Sequence, residues 1–175
     1  MLIHSYGLFW RAEEINWYPG KGKRQAFRLL GRQGKNKGTV KLADFRMQRG
    51  IYILYDERGP YYVGLAEKLG KRLKDHMGDL HKNRWERFSW FGFRAVNITG
   101  KDKAGLQTLR AMPDIKVVNP KYLIKDVEAL LIQAMSLKNV AQMKFTNATL
   151  WDHVQLDEVD TYIEKVNPKK KKKKR

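Results

Sequence analysis

Residues 50–64 read Gly50-Ile51-Tyr52-Ile53-Leu54-Tyr55-Asp56-Glu57-Arg58-Gly59-Pro60-Tyr61-Tyr62-Val63-Gly64. Two runs of β-branched and aromatic residues flank a polar turn containing glycine at 56–59, the pattern of a β-hairpin. Successive strand side chains point to opposite faces, so Tyr52 lies opposite Ile51 and Ile53, and Tyr62 opposite Tyr61 and Val63. Two tyrosines can therefore leave the hairpin on one face.

Downstream, Leu65, Leu69, Leu73 and Met77 recur every four positions and predict a helix over 67–80. Arg72 and His76 are one turn apart on an edge of its apolar stripe, while Lys71, Lys74 and Asp75 face away. Residues 87–98 carry aromatics at both parities, which suits a central strand covered on both faces. A second helix is expected over 124–137 with a narrow polar sector of Asp126, Gln133 and Ser136. A helical wheel sets Glu128 roughly opposite Asp126 and aims it at the buried side, where an unpaired carboxylate is costly. An arginine partner, a hydrogen-bond network or a metal would be needed to hold it. Residues 157–166 predict a last amphipathic helix with Asp157 as cap, ended by Asn167-Pro168. The fold class expected is α/β (α+β), a small central β-sheet with flanking helices.

Upstream, residues 1–49 are basic and punctuated by Gly20, Gly22, Gly31, Gly34 and Gly38, which predicts short strands around 6–10, 27–30 and 39–45. Such a β-rich extension would present Lys21, Lys23, Arg24, Arg28, Arg32, Lys35 and Lys37 to phosphates, with Trp10, Trp17 and Tyr18 available for stacking. The plainer alternative makes the tryptophans core. Four parts are expected: the extension 1–49, a central domain 50–150, a C-terminal helix in 151–168, and a lysine-rich disordered tail 169–175.

The 175 residues suffice for one domain with a modest appendage, and 36 Lys+Arg against 18 Asp+Glu give a net charge of +18. The charge divides as +8 in residues 1–49 (11 basic, 3 acidic), +3 in 50–168 (18 and 15) and +7 in 169–175. So large an excess points to a polyanion, with nucleic acid first. The absence of cysteine excludes disulfides, thiolate metal sites and thiol nucleophiles. The start shows no basic segment followed by an apolar one, and no run approaches a membrane span, so an intracellular, cytoplasmic protein is expected, nuclear in a eukaryote. The lysine tail has no lipidation motif or second anchor beside it, so no membrane partner is expected.

Gly50-Ile51-Tyr52, Tyr62-Val63-Gly64 ten residues on, Arg72 ten further, His76, a helical Glu128 and Asn139 together resemble the GIY-YIG nuclease superfamily over residues 50–150. Val63 stands where the family name has isoleucine, and Asn147 is an alternative to Asn139; His81 and Trp85 receive no role. The resemblance implies a small β-sheet with flanking helices and a divalent-metal-dependent endonuclease with DNA as its expected substrate, and Gly50, Gly64 and Asn139 as supports of the site. In-line phosphodiester hydrolysis then assigns Tyr52 as general base, its pKa lowered by Arg72 and a metal, with Tyr62 and His76 positioning the water or relaying its proton. Arg72 would bind phosphate oxygens and Glu128 one Mg²⁺ or Mn²⁺ ion, while Lys71 and Lys74 join the nucleic-acid contacts. His76 could instead be a packing histidine, and Glu128 could pair with Arg72 or Arg94 without a metal. A double-strand break would need a homodimer, two nicks or a partner nuclease. The alternative function is a non-catalytic DNA- or RNA-binding protein on the same fold.

Overall fold

In the computed structural model, which describes residues 2–20, 27–112, 119–135, 145 and 147–168, the hairpin is the edge of a sheet. Strands β4 (Gly50–Asp56) and β5 (Gly59–Ala66), the fourth and fifth in chain order, pair antiparallel with Tyr52 opposite Gly64 and Leu54 opposite Tyr62. Asp56 Oδ1 closes the turn by accepting from the amides of Arg58 (2.8 Å) and Gly59 (3.1 Å). On the other side of β4 lies β6 (Arg87–Gly92), followed by β1 (Ser5–Arg11) and the short β9 (Thr149–Leu150), which runs parallel to β1. The aromatics of β6 do point both ways: Phe88 and Trp90 join one core cluster and Phe91 the other.

A second sheet has the order β10 (Asp152–His153), β2 (Leu30–Gln33), β3 (Lys41–Asp44), β8 (Gln107–Leu109) and β7 (Val96–Lys101). Residues 1–49 are therefore not an appendage to the hairpin domain. They supply an inner strand of the first sheet and two strands of the second. Trp10 is 1% exposed, stands edge-on to Trp90 and Phe45, and donates its indole N–H to the Trp151 carbonyl at 3.3 Å. Trp17 is 6% exposed, so both tryptophans are core rather than stacking surfaces; Tyr18, 66% exposed, remains available.

Helix α1 (Leu69–His76) is shorter than the predicted span and buries Leu69 and Leu73 against Tyr52 and Leu54. Leu65 belongs to β5 and points outward. Helix α2 (Pro120–Ala134) begins at the Asn119 cap, whose side chain accepts from the Lys121 amide at 2.9 Å, with Pro120 in the first turn. It packs Ala129 and Ala134 on the opposite face of the sheet, with Ile53, Tyr55 and Phe91. Its polarity is the reverse of the helical-wheel expectation: Asp126 is 2% exposed and Glu128 is exposed. Asp126 turns inward because Oδ2 accepts from the amides of Leu2 (2.7 Å) and Ile3 (3.2 Å), a pairing over 120 residues away that periodicity does not record. Helix α3 (Val159–Val166) follows a 3-10 turn whose capping box joins Gln155 and Glu158, so Gln155 takes the place expected of Asp157. It lays Tyr162, Ile163 and Val166 on Leu30, Leu42 and Leu106 of the second sheet region. Among the described residues no helix is long and apolar enough to cross a membrane.

His153 stacks on Trp10, centroids 4.7 Å apart and planes 7° from parallel, and burial pushes its pKa down to about 4. The unfolded chain binds that proton from the ordinary value of 6.5 downward, so stability from this group is full above 6.5 and lost as pH falls toward 4. Urea melts at pH 7 and pH 4 should show the wild type losing about 3 kcal/mol more than His153→Phe, which keeps the stacked ring without the titration. Equal losses in the two proteins would show that His153 is not buried neutral.

Candidate active site

The hairpin register sets the first geometric constraint. Tyr52 faces Gly64 across the strands, and a Cβ at Gly64 would run into the Tyr52 hydroxyl and ring. The tyrosine can lie over its neighbouring strand only because that neighbour has no side chain. Gly50 has a different reason: a Cβ there would strike the Phe91 carbonyl of β6. Both glycines are thus close-approach positions that keep the hairpin seated in the sheet.

Over Gly64 the Tyr52 hydroxyl meets α1. His76 Nε2 lies 2.7 Å from the Tyr52 oxygen, and Arg72 Nε donates to the same oxygen at 3.2 Å. Arg72 Nη2 reaches the Tyr62 hydroxyl at 3.5 Å. The Tyr62 ring stands edge-on to His76, with centroids 5.4 Å apart. The helix does what its spacing predicted: one turn separates Arg72 from His76, and both project from the edge of the Leu69–Leu73 stripe onto the paired tyrosines. His76 is 0% exposed and Tyr52 is 0% exposed.

Two residues without an assigned role complete the arrangement. Asp79, just past α1, places Oδ2 2.8 Å from His76 Nδ1, and its Oδ1 accepts from the His81 amide at 2.8 Å. His81 Nδ1 lies 3.1 Å from the Tyr61 hydroxyl. The spacing His76, Asp79, His81 was visible in the sequence as a cluster of polar side chains where α1 runs out.

The electrostatics correct one expectation. Burial raises the Tyr52 pKa to about 12, although the bond and charge of Arg72 pull the other way. Desolvation outweighs the guanidinium because the ring is enclosed while Arg72 is only partly so. A preformed phenolate is therefore disfavoured. Burial also lowers the His76 pKa, against the raising effect of Asp79 and with Arg72 and His81 adding to the fall. The resting pair is a neutral phenol beside a neutral imidazole.

Glu128 stands apart. It lies on the helix covering the other face of the sheet, and it makes no hydrogen bond or ion pair with Tyr52, Tyr62, Arg72, His76 or Arg94 among the described residues. A single solvent-facing carboxylate on that face does not set a hard cation beside the Tyr52 hydroxyl and the Arg72 guanidinium, so the expected Glu128 metal site does not fit this arrangement. His76, Asp79 and His81 offer ligand atoms within 4.8 Å of one another, but both ring nitrogens of His76 and both oxygens of Asp79 already have partners. That trio is organised as a hydrogen-bond chain.

Of the expected nucleic-acid contacts, Lys21, Lys23 and Arg24 lie outside the described residues, as does Asn139; Asn147 is exposed. Arg32 is a structural cation: it pairs with Asp152 at 3.0 Å, sits over the Tyr162 ring and has a side chain 13% exposed. Arg28 is half-buried. Lys71 is exposed beside Asp75, and Lys74 holds its ammonium over the rings of Tyr18 (5.1 Å) and Phe27 (5.6 Å).

The family profile described as the GIY-YIG catalytic domain matches residues 48–134. No curated protein and no solved structure matches the chain. The matched span opens two residues before Gly50 and takes in β4, β5 and α1, the three elements that bring Tyr52, Tyr62, Arg72 and His76 together. A nuclease acting on nucleic acid follows from that assignment, and residues 48–134 make a catalytic domain of the GIY-YIG nuclease superfamily.

Proposed function

We propose that the protein is an intracellular, divalent-metal-dependent endonuclease that hydrolyses phosphodiester bonds of DNA. The observation that carries this reading is the Tyr52 oxygen held between His76 Nε2 at 2.7 Å and Arg72 Nε at 3.2 Å. A tyrosine with a proton acceptor on one side and a cation on the other can take a proton from water while releasing its own. His76 receives that second proton, so no free phenolate is required. Arg72 then offers its remaining N–H groups to the phosphate oxygens as charge builds on them. Tyr62, held by Arg72, lines the water's approach. A divalent ion, when bound, would supply positive charge for the departing oxyanion; Glu128, on the helix that covers the other face of the sheet, does not share the Tyr52–Arg72–His76 site, so no step of the hydrolysis passes through it.

Substrate contact is proposed along α1. Lys74 ties Tyr18 and Phe27, which flank residues 21–26, to the helix that carries Arg72. Lys21, Lys23, Arg24, Arg28, Lys71 and the lysine tail would add sequence-independent phosphate affinity. Because β1 is an inner strand, deleting the N-terminal segment would dismantle the sheet, and its role is accessible only through point substitutions.

A second reading, a nucleic-acid-binding protein without catalysis, is favoured by the separation of Glu128 from the tyrosines. A panel of linear, branched, single-stranded and RNA substrates with and without Mg²⁺ distinguishes the two. Metal-dependent cleavage of duplex DNA is expected, and tight binding with no cleavage in any divalent cation would establish the second reading.

Three variants sharpen the assignment. Arg72→Ala should lower kcat by about 10²-fold or more, the scale of losing a charge-stabilising donor; a rise confined to KM would make it a binding residue. Glu128→Ala should leave cleavage near the wild-type rate, because its exposed carboxylate lies on the helix covering the other face of the sheet. Loss of cleavage with nucleic-acid affinity nearly intact would instead return the carboxylate to a metal site, since a metal aids the transition state more than ground-state binding. Deleting residues 169–175 should weaken binding to all sequences alike and flatten log K against log [salt] by about 0.9 for each phosphate that the tail no longer neutralises. A changed substrate preference would contradict this.

A further inference from the structure

The hydrogen-bond chain does not end at His76. Asp79 stands at its far end, on the turn that follows α1, and neither of its oxygens is idle: Oδ2 faces His76 Nδ1 at 2.8 Å and Oδ1 accepts the His81 amide at 2.8 Å. The His81 amide bond holds the carboxylate at a fixed angle, and the His81 ring is in turn held by the Tyr61 hydroxyl at 3.1 Å. We propose that Asp79 is the positioning residue of this site, fixing His76 in the tautomer that carries its proton on Nδ1 and leaves Nε2 as the acceptor for Tyr52.

An ionised carboxylate can only accept. The proton between Asp79 and His76 therefore belongs to Nδ1, the Nε2 lone pair is free, and the 2.7 Å contact is donated by the Tyr52 hydroxyl. Asp79 stays ionised: although desolvation opposes it, the His81 amide and His76 hold its carboxyl below the usual carboxylate range. The groups facing His76 are Tyr52 from β4, Tyr62 from β5, Arg72 on its own helix, and Asp79 and His81 beyond it. Of these, Asp79 alone carries negative charge, so it is the group that stabilises the imidazolium.

The inference deepens the nuclease reading and rests on it for its catalytic consequence. As the water oxygen bonds to phosphorus and the bond to the leaving oxygen breaks, one water proton passes to the Tyr52 oxygen and the Tyr52 proton passes to His76 Nε2. Tyrosine ends as it began, a phenol. The imidazolium sits against Asp79, and it later returns its proton to solvent, from which the leaving alkoxide takes one. With the opposite tautomer His76 would present N–H to Tyr52 and the transfer would have no acceptor.

The test has two arms. Long-range ¹H–¹⁵N NMR of the free protein reads the tautomer without any substrate. The wild type should show His76 protonated at Nδ1. In Asp79→Asn the amide has one oxygen for two N–H donors; with that oxygen on the His81 amide, its NH₂ faces Nδ1 and His76 should switch to the Nε2–H form. In the second arm, kcat of Asp79→Asn should fall by about 10²-fold or more with KM little changed, the direction seen when a catalytic histidine is held in the wrong tautomer. Asp79→Glu, which keeps two acceptors, should recover part of the rate. A wild-type His76 protonated at Nε2, or a tautomer unchanged in Asp79→Asn, overturns the proposal. So does an Asp79→Asn rate within about twofold of a wild type that cleaves. A wild type that cleaves nothing sinks the nuclease reading instead, and the spectra still decide what Asp79 does.

Discussion

The contact between the Tyr52 hydroxyl and His76 Nε2 is the constraint to which the surrounding structure answers. Both partners are fully buried, and burial moves their pKa values in opposite directions, the phenol up and the imidazole down. Each shift favours the uncharged form, so the pair rests neutral in a place where a single unpaired charge would be expensive. Arg72 supplies the bias: its guanidinium touches the tyrosine oxygen and favours negative charge there, whereas Asp79 touches the histidine and favours positive charge. The two ends of the pair are thus prepared for the ionic state that proton transfer would create, without being in it beforehand. Preorganisation of this kind needs a rigid frame, because the dipoles must already be aimed before the charge moves.

That frame reaches well beyond the hairpin. Gln48, immediately upstream of the motif, donates to Ser5 Oγ and to the Arg94 carbonyl at 2.9 Å each, while its own carbonyl oxygen accepts from the amides of Arg49 and Arg94 at 3.0 Å. One buried side-chain amide ties β1 and the chain after β6 to Arg49, the residue before β4. A Cβ at Gly92 would collide with that side chain, so the end of β6 is shaped around it. The N-terminal strand is consequently part of what holds Tyr52 over Gly64.

How much of this the sequence discloses depends on how local the cause is. The hairpin, the helix bearing Arg72 and His76, and a doubly covered strand follow from short-range alternation and spacing, and the structure has all three, but the strand expected over 87–98 ends at Gly92 and Val96–Lys101 joins the second sheet. Tyr52, Tyr62, Arg72 and His76 lie together, whereas Glu128, expected with them, does not. What the periodicity misreads is decided at long range. Asp126 is drawn inward by amides at the other end of the chain, which reverses α2 and leaves Ile124, Val127 and Leu131 exposed. Hydrogen bonds to a charged acceptor contribute about 1.5–3 kcal/mol each, similar to the burial of one aliphatic side chain, so a wheel that counts only hydrophobicity can be overruled. Asp79 escapes a motif reading for a different reason: it lies on a turn, where no periodicity marks which way a side chain points.

The charge excess is also redistributed by the fold. Arg94 gives its guanidinium to three backbone carbonyls, those of Met47, Leu109 and Arg110. Arg46 pairs with Asp44 at 2.8 Å and Arg32 with Asp152 at 3.0 Å. These arginines use the fork geometry that suits fixed carbonyl and carboxylate positions, and they knit strands and loops together. Net charge therefore overstates the number of cations free to face a polyanion. Among the described residues, Arg72 is the arginine whose fork is joined to tyrosine hydroxyls rather than to a carbonyl or carboxylate, with contacts of 3.2 and 3.5 Å. Neutral partners at those distances leave its charge uncompensated, and an uncompensated guanidinium beside a buried proton-transfer pair is the arrangement that an incoming phosphate can complete.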